Sequence, residues 1–181
     1  GASLEPPGCH RPQAIVAELL ARGSLSQDPR DAPWPQEHPG GSDLDSVRGW
    51  LRRLLPASEI RSVYRVECSG ATAAAYAGVR AALGPERLLW HGTPWDAVAN
   101  IAHHGFNRAY CGRHGAKLGR GSYFAEDPAY ASRFCGRGAP SRALFLAGVL
   151  PGRSCRGEDG WVEPPAADAS GARFDSTVDN A

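Results

Sequence analysis

Ala143-Leu-Phe-Leu-Ala-Gly-Val-Leu150 is a run of eight residues without a charge or a strongly polar side chain. A short apolar run of this kind reads as a buried strand, and a buried strand demands neighbours on both edges. Gly121-Ser-Tyr-Phe-Ala125 reads the same way, and the β-branched stretch Ile60-Arg-Ser-Val-Tyr-Arg-Val66 predicts a further strand. Arg87-Leu-Leu-Trp90 is a short apolar run leading into His91, and Arg173-Phe174-Asp175 can open one more strand. Helical spacing appears between these runs. Leu44, Val47, Leu51, Leu54 and Leu55 fall on one side of a helix over about 44–55, capped by Ser42 or Asp43 and ended by Pro56. Thr72, Tyr76, Val79 and Leu83 mark a second, stopped by Gly84-Pro85. Thr93 as N-cap, Pro94 at the first helical position and Asp96 three residues past the cap predict a third, closed by Gly105. Asp127-Pro128 repeats that start for a helix over about 128–135. The strands and helices do not alternate strictly, which favours α+β over a doubly wound sheet.

Residues 1–43 follow a different pattern. Seven prolines and Gly40-Gly41 fall there, and the only periodic piece is Ala14–Leu20, which reads as a short helix ended by Gly23. The division expected is a linker or disordered segment over 1–43 and a folded domain over 44–181. The 22 Gly and 15 Pro are about a fifth of the 181 residues, against a usual level of about 12%. No run of 18 apolar residues occurs, so no membrane-spanning helix is expected. No charged n-region and apolar h-region pair opens the sequence, so no signal peptide is expected from it, and with no Met among its residues Gly1 is read as no natural start.

A net charge of +1 argues against a bulk polyanion binder. Locally the balance is different. Ala97 to Ala125 contains no acidic residue but holds Arg108, Arg113, Lys117, Arg120 and three histidines, interleaved with Phe106, Tyr110, Tyr123 and Phe124. A basic, glycine-bearing loop with aromatics suits a ligand with phosphates and flat rings, or single-stranded nucleic acid, or simply solvent. A P-loop, a GxGxxG fingerprint, GxSxG and HExxH are all lacking. Cys111-Gly-Arg-His114 has a metal-like spacing without a second pair, so no metal site is expected. Five widely spaced cysteines with no CxxC fit a reducing compartment, the cytoplasm or nucleus.

Four segments in fixed order carry a resemblance: Trp90-His91-Gly92-Thr93, Gly105-Phe106-Asn107-Arg108, Cys111-Gly112-Arg113-His114-Gly115 and Gly119-Arg120-Gly121-Ser122-Tyr123-Phe124-Ala125. Together they resemble the catalytic domain of the poly(ADP-ribose) polymerase family, most of all the branch that transfers single ADP-ribose units. The resemblance extends upstream to about Ile60 and downstream through Phe174-Asp175-Ser176-Thr177-Val178-Asp179.

The resemblance implies the diphtheria-toxin-like ADP-ribosyltransferase fold, a split antiparallel sheet with flanking helices that binds NAD in a cleft. It assigns His91 to the ribose hydroxyls, the Gly92 backbone to the nicotinamide carboxamide, and Tyr123 to stacking on nicotinamide, with His91 and Tyr123 catalytic. Phe134 closes the ring sandwich, and Asn107 and Arg108 open the loop over the adenosine. Thr93, Phe124, Ala125 and Ala131 complete the NAD-binding set. A small residue at 92 is read as letting the ligand approach. No metal is implied. Nicotinamide release from NAD with transfer to a protein, automodification included, is the expected reaction.

Two departures stand out. The family's carboxamide-binding serine falls at Ala131, with Ser132 about 100° around the helix. The third catalytic position and the closing strands are expected beyond Ala181, which leaves single against repeated transfer undecided. The alternatives are a non-catalytic NAD-binding or interaction module and a basic single-stranded RNA binder.

Overall fold

The computed structural model describes residues 13–20, 51–52, 55, 59–67, 70–111, 116–136 and 141–180. Strand β1 is Gln13–Leu20, β2 Glu59–Glu67, β3 Arg87–Pro94, β4 Ser141–Val149, β5 Ser154–Arg156 and β6 Ser176–Val178. The helices are α1 (Gly70–Leu83), α2 (Val98–His104) and α3 (Pro128–Ser132), with single 3-10 turns at Trp95–Ala97 and Arg108–Tyr110.

The expected apolar run becomes β4, one of the two inner strands of a four-stranded sheet in the order β2-β1-β4-β3. All three pairings are antiparallel, and Phe145 lies level with Val16 on one side and His91 on the other. Both faces of β4 are covered, which accounts for its unbroken hydrophobicity. Leu144 and Leu146 pack with Leu51, Leu55, Ile60, Val63, Trp90, Ala131 and Cys135, and Ala143 and Phe145 pack with Val98, Ile101 and Phe106. The two sets are alternate residues on opposite faces, so α3 covers one face and α2 the other. A second, two-stranded sheet pairs β5 with β6 in parallel.

β2, α1 and β4 match their expected spans closely. Residues 51–52 are helical and the Leu55 N–H donates to the Leu51 carbonyl; the rest of the helix expected over 44–55 lies outside the described residues. Four expectations are corrected. Residues 14–20 lie in strand β1 between β2 and β4, not in a helix, and pairings of eight residues with β2 and seven with β4 draw part of the expected linker into the sheet. Pairing on both edges outweighs a local pattern that suits helix and strand alike. Thr93 caps nothing: β3 continues through Thr93 and Pro94 opposite Ala143 and Arg142, and the turn that follows has no side-chain cap. Gly121–Ala125 is not a strand; only Ala125 pairs, in a single bridge to Trp90. The strand expected at 173–175 begins at Ser176 instead. The Asp127 cap stands, its carboxylate accepting the Ala129 N–H at 2.7 Å.

Candidate active site

Strand alternation sets the site. Leu88 and Trp90 belong to the core on the α3 face, and Gly92 shares that face. His91 faces the other way, its ring centroid 4.9 Å from that of Phe106. Trp90 exchanges both backbone bonds with Ala125, at 2.7 and 2.8 Å. It therefore spends its N–H and C=O on the edge of β3 away from β4, and by the period of two Gly92 directs its own pair to that same edge. A planar amide held there would find a donor and an acceptor side by side.

At Gly92 the backbone of β3 also lies close against that of α3. A Cβ on residue 92 would lie 1.9 Å from the Ala131 carbonyl oxygen and 3.0 Å from Cys135 Sγ. The small residue is thus required first by the helix packed against the strand, a reason different from the ligand approach read from sequence. Ala131 is 3% exposed and Ser132 5%. The Ser132 hydroxyl donates to the Ala129 carbonyl at 2.8 Å, so it is already engaged within the helix. Burial pushes the Cys135 thiol up to about 11, and its S–H donates to the Ala143 carbonyl at 3.0 Å.

The His91 ring bonds through Nδ1 to the Tyr123 carbonyl at 2.8 Å. A carbonyl only accepts, so Nδ1 carries a proton, and in the neutral ring Nε2 keeps its lone pair. Burial holds the imidazole pKa below its ordinary 6.5, with the Tyr123 carbonyl bond opposing that shift. The neutral tautomer with Nε2 as acceptor suits a sugar hydroxyl. Phe106 and Phe124 pack edge-to-face at 4.9 Å, with Phe124 5.6 Å from His91. Phe124 thus backs the histidine ring.

Tyr123, the neighbouring residue, is 38% exposed. Its hydroxyl donates to the Gly119 carbonyl at 2.6 Å and accepts the Leu118 N–H at 2.9 Å. Phe134 is 46% exposed and meets Tyr130 edge-to-face at 5.4 Å. Both aromatics expected to hold a flat ring are therefore open to solvent. Asn107 accepts the Ala109 N–H on Oδ1 at 2.9 Å and so caps the turn Arg108–Tyr110, while the Arg108 guanidinium donates to the Val162 carbonyl. These two brace the loop. Thr93 is buried in β3, and Ala125 holds the outer edge of β3.

Sequence reasoning missed Phe106 as the wall behind His91, although Gly105-Phe106 lies inside a quoted motif. It also missed the contacts of Leu118, Gly119, Val162 and Thr177, which span up to 59 positions and leave no local pattern.

A model of the poly(ADP-ribose) polymerase catalytic domain matches residues 52–157. That span contains His91, Gly92, Tyr123 and Phe134, and the chain belongs to this family. Among curated relatives, Protein mono-ADP-ribosyltransferase PARP12 of Mus musculus is 42% identical over 96 residues, 52% of this chain and 14% of that protein. Protein mono-ADP-ribosyltransferase PARP10 of Mus musculus is 41% identical over 99 residues, covering 52% and 10%. Protein mono-ADP-ribosyltransferase PARP11 of Homo sapiens is 36% identical over 116 residues, covering 52% and 34%. The chain therefore spans a minor part of the length of each relative.

Proposed function

We propose that the β3 edge at His91 and Gly92 is the donor site of an NAD-dependent mono-ADP-ribosyltransferase acting on protein acceptors, itself included. The observation that carries the reading is the edge of β3 at which Trp90 exchanges backbone bonds with Ala125; strand alternation directs the Gly92 N–H and C=O to that same edge, beside a His91 ring held by the Tyr123 carbonyl. On this reading the split antiparallel sheet of the ADP-ribosyltransferase fold is completed around the four strands described above. Gly92 binds the carboxamide, Tyr123 and Phe134 flank the nicotinamide ring, and His91 Nε2 accepts a ribose hydroxyl. Asn107 and Arg108 serve the adenosine side.

The bond that breaks joins ribose C1′ to the nicotinamide nitrogen. Its electron pair leaves with nicotinamide, neutralising the pyridinium, while positive charge builds on the sugar. The acceptor's lone pair then forms the new bond to C1′, and the acceptor loses its proton. The chain's own contribution is orientation: a fixed ring, a held ribose and an acceptor brought into line. A reducing cytoplasm or nucleus is the setting, in keeping with thiols at Cys111, Cys135 and Cys155.

One observation favours a second reading, a member that binds NAD weakly and serves as an interaction module. Neither Ala131 nor the engaged Ser132 offers a hydroxyl to the carboxamide. Incubation of the full-length protein with NAD separates the two. Nicotinamide release, together with one ADP-ribose per modified site by mass spectrometry, supports transfer; NAD binding without release supports the module.

A further inference from the structure

The loop beneath Tyr123 does not stand alone. Residues 116–120 rest on the small sheet formed by β5 and β6. Gly157 follows β5 and is buried, and its N–H donates to the Val178 carbonyl at 2.9 Å. A Cβ on residue 157 would come 2.5 Å from the Leu118 carbonyl oxygen and 2.7 Å from its Cβ, so only glycine admits the loop this closely. The Arg120 N–H donates to the Trp161 carbonyl at 2.7 Å. From β6 the Thr177 hydroxyl donates to the Leu118 carbonyl at 2.8 Å.

The Leu118–Gly119 peptide is thus held at both ends, by Thr177 on its oxygen and by the Ala116 carbonyl on the Gly119 N–H at 2.7 Å. The Leu118 N–H and the Gly119 carbonyl are the two partners of the Tyr123 hydroxyl. We propose that Thr177 is a positioning residue for Tyr123: it fixes the Leu118–Gly119 peptide, and the two peptides flanking it, through the Leu118 N–H and the Gly119 carbonyl, hold the phenol. The inference rests on the donor-site reading, in which the plane of the Tyr123 ring sets one wall for nicotinamide.

The position demands a donor. β-branching suits the strand and the hydroxyl makes the link, so serine preserves the link and valine preserves only the shape. Thr177→Val and Thr177→Ser are compared in the full-length protein, each alone and combined with Tyr123→Phe. The readouts are KM for NAD in nicotinamide release and the hydrogen-exchange rate of the Leu118 amide. Thr177→Val is expected to raise KM about three- to tenfold, the equivalent of one hydrogen bond, and to quicken Leu118 exchange. Thr177→Ser stays within about twofold of the parent. When Tyr123→Phe has already removed the phenol hydroxyl, Thr177→Val adds nothing to KM. A merely structural role for Thr177 would raise KM by the same factor in both backgrounds, and that result overturns the proposal. Unchanged Leu118 exchange, with a normal defect in Tyr123→Ala, overturns the Thr177 link alone. Unchanged NAD affinity in Tyr123→Ala overturns the donor-site reading and with it any part for Thr177 in the reaction.

Discussion

Replacing Gly92 by alanine asks how closely β3 and α3 are fitted. The added Cβ would meet the Ala131 carbonyl oxygen at 1.9 Å and its carbon at 2.8 Å. Both are helix backbone, so no side-chain rotation relieves them. Bringing the first contact out to 3.0 Å requires a separation of about 1 Å, in a region packed to interior density. Overpacking of this kind costs about 1–3 kcal/mol, and a backbone contact belongs at the upper end. With about 2–4 °C per kcal/mol for a chain of this size, the melting temperature falls by about 6–12 °C. Phe134 lies two residues past α3 with its N–H on the Ala131 carbonyl, so the same displacement moves one wall of the proposed nicotinamide site, and a misplacement of about 1 Å can cost about 10²-fold in rate. Gly121→Ala is the control. It lies in the same set of motifs, but nothing stands within 4 Å of its Cβ position, so stability changes by no more than about 0.5 kcal/mol. Thermal unfolding and nicotinamide-release kinetics of both variants decide the matter. A Gly92→Ala protein as stable and active as the parent, or a Gly121→Ala protein equally damaged, refutes the packing argument.

Tyr123→Ala removes one face of the ring sandwich; stacking is worth about 0.5–1.5 kcal/mol beyond burial, so NAD affinity by calorimetry drops at least about tenfold. On the donor-site reading Ala131→Ser supplies a hydroxyl to the carboxamide and raises NAD affinity about two- to tenfold, whereas Ser132→Ala loses its bond to Ala129, lowers stability by about 1 kcal/mol and leaves affinity unchanged. His91 favours its neutral form in the folded protein, so its contribution to stability is complete above the unfolded value of about 6.5 and declines as pH falls from there toward the lowered folded value; melting curves show this. On the donor-site reading, where Nε2 accepts a ribose hydroxyl, acid weakens NAD binding only below the pH at which an ordinary imidazole would gain its proton, because burial lowers the His91 pKa. At pH 7.5 a maleimide labels Cys111 and Cys155 well before Cys135, whose thiol titrates at about 11, and peptide mass spectrometry reads the order.

How much of this was legible in the sequence depended on whether the cause was local. β4 announced itself because burial on two faces leaves no charge between Ala143 and Val149. The Asp127-Pro128 helix start was legible because its cap is made within two residues. Thr93 misled for the opposite reason: its cap chemistry is local, but pairing with Ala143, fifty positions away, holds it in β3. Ala14–Leu20 misled likewise, since its partners lie at 59–66 and 141–147. At the site, ordered motifs brought out His91, Gly92 and Tyr123. They did not reveal that Gly92 is packed against Ala131, that Phe106 and Phe124 back the histidine, or that Thr177 reaches Leu118. Those relations exist only once the sheet has brought distant segments together.

The sharpest test is the amide resonance of Gly92 in the full-length protein titrated with nicotinamide. If the β3 edge holds the carboxamide between Tyr123 and Phe134, the Gly92 N–H gains a hydrogen bond and shows one of the largest shifts in the spectrum. The Tyr123 and Phe134 ring signals shift with it, and Tyr123→Ala abolishes the response. A saturable response that bypasses Gly92, or none at concentrations where NAD is turned over, would contradict the site assigned here.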